Sequence, residues 1–402
     1  MASTLKLGNG NWGVKNGSLL AYDDFGGKFR PFPFDFSRAS SATVVNKAGL
    51  IETVQSGISR IDFKDDANGA LLLEPQRTNR MPNSEDGTAW VLNNTTLSSL
   101  SGGLNKEYYQ ITSNDTASRF NVVQNNWVNL TAGTYTASVF AKKGTTDEII
   151  LTTRANFGAL DHFSVFNLTS GTVVSSNGVT GSIEPYSDGW YRCAITFTNS
   201  GSYTDFASFA FGFNFNSSNT DTLFVASPQS EIGSYATSYI PTQGAISTRL
   251  ADAIDQQITN LTSVQEGTFF LDFDRGLTNG TVRDGNTDGF FYRSGSSFPA
   301  TNAIEIATDT DGKVRLAVRM NGFSPLYVND TLSRYKMLIK WSGTSVNVFV
   351  NGVLEYTSTA RWTATLPLQH IGYNFSFRKN VHQLLTYSTA LTDAECITLT
   401  TI

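Results

Sequence analysis

Between about residue 81 and residue 242 one pattern recurs: a run of roughly five to eight residues in which apolar and polar side chains alternate, closed by Gly, Asn, Ser or Asp. GTYTASVFAKK, DEIILTTRAN, HFSVFNLTSGTVV, GWYRCAITFTN and FASFAFGFNFN are examples. A period of two places alternate side chains on opposite faces of a strand. Strands spaced about ten residues apart, with no helical pattern between them, predict an antiparallel sandwich or jelly roll. SEIGSYATSYIPT closes this stretch, and Pro241 stops further ladder pairing.

The same alternation returns from Gly267 in GTFFLDFD, DGFFYRSG, AIEIATDT, KVRLAVRMN, RYKMLIKWSG, SVNVFVNG, VLEYTST, LQHIGYN and HQLLTYST. Asn351-Gly352 is the strongest hairpin signal of the chain, because both residues tolerate the positive φ that a tight turn demands. Only ALTDAECI, Ala390 to Ile397, reads as helix, with Thr392 as cap and Glu395 completing a capping box. Before residue 81 the pattern is sparser. Met1 to Pro33 is rich in Gly and Asn and predicts an irregular extended arm. Ala42 to Val45, a turn over Asn46 to Gly49, and Leu50 to Val54 predict a hairpin, followed by strands at Ile61 to Phe63 and Ala70 to Leu73. Gln243 to Gln265 reads as a linker in which LADAIDQQI is either a helical turn or a strand. The expected fold is therefore all-β: an N-terminal attachment module (1–81), a jelly roll (82–245), a linker (246–266) and a second antiparallel β-sandwich (267–402).

Composition agrees with this class. In 402 residues, 12% are aromatic, only 16% are charged, and 28 Phe face 4 Met. A net charge of -5, thinly spread, leaves no basic stripe, so nucleic acid is not an expected partner. No window approaches the ~18 consecutive apolar residues of a membrane span, and no secretion signal is expected. Cys193 and Cys396 fall in different predicted units and are not expected to pair, given cytoplasmic synthesis. His162, His370 and His382 lack metal-ligand spacing and read as ordinary strand residues.

Two phrases, FDFSRASSATVVNKAGLIE and RIDF with GALLLEPQRTN, together with LGNGNWGVKNGSLLAY before them, resemble the head of a family of tailed-bacteriophage fibre and appendage proteins over Leu7 to Asp86. TAGTYTASVFAKKG, SDGWYR and EIGSYATSYIPT are similar to carbohydrate-binding jelly rolls attached to that head. RYKMLIKWSGTSVNVFVNGVLEY and LLTYSTALTDAE resemble concanavalin A-like and laminin G-like lectin domains. The resemblance implies a virion protein whose first module lies near the particle, with capsid or tail proteins as partners, a homo-oligomer, most often a trimer, and host-surface glycans as ligands.

Candidate chemistry is thin. Sugar recognition uses exposed aromatic platforms flanked by amides and carboxylates, and Trp362, Tyr373 with Asn374, and Tyr292 lie in or beside predicted loops. Core packing is the preferred reading for each ring, and more strongly so for Trp127 and Trp190. Asp284, Asn286 and Asp288 match the first half of a calcium loop, but position twelve falls on Gly295 rather than Glu, so a solvated turn is preferred to Ca2+ binding. Asp309-Thr-Asp311-Gly312 reads as a turn. The E-x-D-x-x-E glucanase strand motif is absent, since Glu305, Asp309 and Asp311 do not reproduce it. The expectation is a virion appendage that adheres to glycans and is not an enzyme, with a ligand-free structural component and a polysaccharide depolymerase as alternatives.

Overall fold

Alternation becomes strand throughout the described residues. The computed structural model describes residues 5–23, 30–114, 122–125, 131–154, 162–199, 208–214, 218, 220–257, 262–275, 289–294, 302–308, 313–320, 325–329, 331–359, 362–364, 366–373 and 379–402. Among these are 34 strands and one α-helix, and every strand pairing is antiparallel. The helix, Asp393–Thr400, starts as expected: the Thr392 hydroxyl accepts the Glu395 N–H, and the Glu395 carboxylate accepts the Thr392 N–H at 2.9 Å. The doubtful stretch LADAIDQQI forms a strand, Ala253–Gln257.

The chain divides into two compact units, and the boundaries are not those that periodicity suggests. One unit comprises Met1–Ser41, Val54–Gln76 and Leu250–Ile402; the other comprises Ala42–Thr53 and Arg77–Arg249. The residues expected to form a separate module (1–81) are thus distributed over both. Leu5–Gly8, inside the expected irregular arm, is a strand hydrogen-bonded between Ser18–Asp23 and Lys379–Tyr387. Ala70–Leu73 pairs with that same C-terminal strand. The interval 246–266 is no free linker: Ser247–Arg249 pairs with Arg77–Asn79, while Ala253–Gln257 lies between Phe36–Ser37 and His370–Tyr373. Periodicity reports that a segment is a strand and is silent about its partner, which in an antiparallel sheet is set by contacts distant in sequence.

The first unit packs an eleven-stranded sheet on a seven-stranded one. From Glu266–Asp274, the side chains of Phe269, Leu271 and Phe273 enter a core shared with Met337, Ile339, Trp341, Tyr292, Ile304 and Leu316. The intervening Phe270, with Leu338, Phe349 and Leu385, faces the opposite side and packs under Cys396 of the helix. Both faces of Glu266–Asp274 are buried from Gly267 to Phe273, which is why GTFFLDFD is so apolar, whereas Arg334, Lys336 and Lys340 of RYKMLIKW stay partly exposed.

A buried charge network lies in this unit. Arg38 Nη1 contacts Asp252 Oδ1 at 3.0 Å, Arg60 Nη1 contacts Glu74 Oε2 at 2.7 Å, and Arg60 Nη2 bonds the other Asp252 oxygen, all four side chains being 0% exposed. The Glu74 N–H also donates to Asp252 at 2.8 Å. Two cations and two anions balance, as burial requires. Arg38, Arg60, Glu74 and Asp252 lie on the segments by which the chain leaves and re-enters this unit. Three of them belong to the FDFSRASS, RIDF and LLLEPQ phrases that carry the family resemblance.

The second unit is a sandwich of two six-stranded sheets. Tyr135, Ala137, Val139 and Ala141 from Gly133–Lys143 meet Ile149, Leu151, Phe209, Phe211 and Phe213 from the opposite sheet. The Ala42–Val45 and Ile51–Val54 hairpin turns at Gly49, whose φ of +77° is left-handed. A Cβ there would meet the Ser187 Cβ at 2.8 Å, so the position demands glycine on two grounds. SEIGSYATSYIPT owes its composition to a buried network: Glu231 accepts the Thr237 N–H at 2.8 Å and hydroxyl at 2.7 Å, while Gln229 accepts the Ile240 N–H at 2.7 Å. Cys193 and Cys396 are free and buried, in different units.

Candidate functional site

Two of the rings proposed as sugar platforms are core residues. Trp362 is 3% exposed, stacks on Trp341 with centroids 4.5 Å apart, and donates its indole N–H to Val264 O at 2.8 Å. Tyr292 is 0% exposed, shares a 2.7 Å hydrogen bond with the Thr262 hydroxyl, and its phenol is pushed up by burial. Neither presents a face to a ligand, because both face the interior between the two sheets of the first unit. Trp190 is buried, as expected of a core residue, against Leu104, Phe140 and Tyr239. Tyr373 ends the strand His370–Tyr373, with its side chain outside the described residues. Asn374, the loop of Asp284, Asn286 and Asp288 with Gly295, Trp127, and the Asp309 to Gly312 turn also lie outside them. Among the described residues no group of three His, Cys, Asp or Glu side chains is placed to hold a metal ion. His370 and His382 lie in strands; His162 precedes one.

A site that periodicity did not single out lies on the second unit. Thr95–Gly103 is the edge strand of a six-stranded sheet, and beside it is a groove of about 630 Å³ lined by Glu85, Ser99, Ser101, Asn105, Lys106, Glu107, Ser227 and Gln243. That volume lies within the range of small-molecule sites, roughly 300–1,000 Å³. Its lining mixes hydroxyl, amide and charged groups with apolar surface, to which Leu100 contributes.

Three irregularities of the ladder shape it. Thr95–Gly103 pairs with Lys106–Ser113, and the register slips between Ser101 and Gly103, leaving Gly102 as a bulge. The hairpin then turns through Leu104 and Asn105, both at positive φ (52° and 62°). Asparagine tolerates that conformation and leucine does not. Leu104 is held there by its surroundings: its side chain is 3% exposed among Ile51, Phe140 and Trp190, and its carbonyl accepts the Ile51 N–H at 3.0 Å. A second bulge, in Thr222–Ile232, places Ser227 at a φ of 50°.

The remaining wall is a zipped loop pair. The Glu85 N–H donates to Thr242 O at 3.2 Å, the Thr242 N–H to Ser84 Oγ at 3.0 Å, and the Gly244 N–H to Asn83 Oδ1 at 2.9 Å. Glu85 and Gln243 are thereby fixed on one side, opposite the hairpin carrying Asn105, Lys106 and Glu107. Lys106 Nζ contacts Glu85 Oε1 at 3.0 Å and sits 5.7 Å over the Tyr239 ring. Burial, and then the neighbouring Glu85 carboxylate, push the Tyr239 phenol up. Glu107 accepts the Ser99 hydroxyl across the strand pair. The arrangement offers carboxylate and amide oxygens, amide and ammonium donors, and two carboxyl groups within one concavity.

The signal for this site in the sequence was the segment LSSLSGGLNKEYY, where two glycines and an asparagine interrupt an alternation of small polar residues. Its meaning depends on Glu85 and Gln243, which are distant in sequence.

No family model and no curated protein matches the chain. Solved structures that it resembles include domain 4 of a GH43 extracellular arabinanase from Geobacillus stearothermophilus in complex with arabinotriose, 17% identical, covering 41% of this chain and 82% of that one at a TM-score of 0.30. A Trypanosoma rangeli sialidase in complex with sialic acid is 10% identical at a TM-score of 0.29; the likeness covers 96% of this chain, which spans 61% of the sialidase's length. A GH43 protein from Bacillus licheniformis is 8% identical over 94% of this chain and 85% of that one, at a TM-score of 0.23. These distant likenesses assign no activity. They do correct one expectation: the structures found are of a sialidase and of GH43 proteins, an arabinanase among them, so the reading of the chain as a non-enzyme does not stand.

Proposed function

We propose that the protein is an appendage of a bacteriophage virion that engages glycans through the groove of the second unit. The groove carries the glycan part of this reading: sugar hydroxyls both donate and accept, and a concavity lined by Ser99, Ser101, Asn105, Glu107, Ser227 and Gln243 offers complementary groups at close spacing. The virion part rests on the sequence resemblance over Leu7 to Asp86. Copies displayed together on a particle would turn weak contacts into useful avidity, since each engaged site raises the effective concentration of the next.

Multivalent protein is applied to an array of host-surface and capsular polysaccharides, alongside a variant with Asn105→Ala and Gln243→Ala. Binding by the native protein that falls in the variant supports the groove; equal binding by both removes it. A reducing-end assay on the bound polysaccharide separates holding from cutting. Shortening of the chains would assign hydrolysis to this site, with Glu85 and Glu107 as its two carboxyl groups. Immunogold labelling of phage particles tests the virion placement, and absence of label from intact particles would refute it.

A further inference from the structure

The charges of the groove do not cancel. Lys106 is committed, with its ammonium on the Glu85 carboxylate and above the Tyr239 ring, so this pair presents no net charge to a ligand. Glu107 is exposed and bonded to a neutral partner, the Ser99 hydroxyl; among the described residues no cation is paired with it. The other polar lining residues are uncharged. Asn105 spends an amide N–H on Ile51 O at 3.4 Å, and its amide oxygen is an acceptor. The groove is thus rich in acceptors and carries one unbalanced negative charge.

We infer that the groove selects its glycan by charge, preferring sugars that bear a free amine, accepting neutral ones and rejecting carboxylated ones, with Glu107 as the discriminating side chain. This rests on the glycan-binding reading proposed above. A protonated amine both donates hydrogen bonds and neutralises Glu107, whereas a uronate or sialate carboxyl meets a like charge with no free cation to receive it.

Three oligosaccharides of equal length serve as probes: glucosamine oligomers, their N-acetylated counterparts and hexuronate oligomers. Affinities are measured with the full chain at low and at high salt. The expected order is amine over acetamide over uronate, with about threefold between the first two at low salt, as for an exposed charge pair, narrowing as salt is added. Glu107→Gln should close that gap, so that amine and acetamide oligomers bind the variant with equal affinity. Glu355→Gln, an exposed carboxylate of the first unit, removes the same net charge and should leave the preference intact, which separates groove selectivity from general attraction to an acidic protein. Equal affinity for amine and acetamide, or a preference that survives Glu107→Gln, overturns the charge selectivity and leaves glycan binding standing. No binding of any of the three in the groove overturns both.

Discussion

Asp252→Asn tests the charge network of the first unit. Asp252 accepts from Arg38 Nη1, from Arg60 Nη2 and from the Glu74 N–H, so one isosteric change strips two buried guanidiniums of a shared counter-charge. Arg60 keeps the Glu74 carboxylate and Arg38 keeps the carbonyls of Ser40, Gln55 and Ile58, but the shared anion is gone and the new amide N–H groups face donors. Breaking a fully buried pair in this way costs about 3–5 kcal/mol. For a domain of roughly 150–250 residues each kcal/mol shifts the midpoint by about 2–4 °C, giving a fall on the order of 10 °C. Burial lowers the Arg60 value, but Asp252 and Glu74 together outweigh it and the net direction is upward. Its contribution is therefore fully present below the ordinary arginine value and lost only as the pH rises through the raised one, so mild alkali should not mimic the variant. Differential scanning calorimetry gives the midpoint, and hydrogen exchange in Glu266–Asp274 and Lys379–Tyr387 reports whether the first unit has loosened. A midpoint within 1–2 °C of the native protein, with exchange unchanged, would refute the reasoning and reduce the network to an incidental pairing.

Trp362→Ala should destabilise the first unit by about 3–5 kcal/mol in chemical denaturation, because it removes a buried ring stacked on Trp341; loss of glycan binding with unchanged stability would restore the sugar-platform reading. Burial drives the Cys193 thiol up and pushes Cys396 up to about 11, although Lys340 opposes the latter, so at pH 8 both should resist iodoacetamide when folded and react in urea. Rapid labelling of the native protein would contradict the buried placement. The Thr392 hydroxyl, followed by its backbone N–H, holds the Glu395 carboxyl below its ordinary 4.5, so the capping box contributes above that value and is lost as the pH falls through the lower folded one. Amide exchange at the start of Asp393–Thr400 should accelerate in that acidic window, and Glu395→Ala should exchange fast at every pH.

Alternation with a period of two, turn chemistry at Asn351-Gly352 and the Thr392–Glu395 capping box determined from the sequence alone that the chain is all-β with a short terminal helix, since each depends on residues within a few positions of one another. Only the tertiary structure decided which strands distant in sequence are partners. It set Leu5–Gly8 beside Lys379–Tyr387, brought Arg38, Arg60, Glu74 and Asp252 together, and turned Trp362 and Tyr292 inward. An aromatic beside a turn has the same local pattern whether it packs inside or stands in solvent, and burial is settled by the sheet that comes to cover it. The groove has the same origin: Glu85, Glu107 and Gln243 come from separate segments of the chain, and they share one surface where the Gly102 bulge, the Leu104 turn and the Ser227 bulge lie beside a zipped pair of loops.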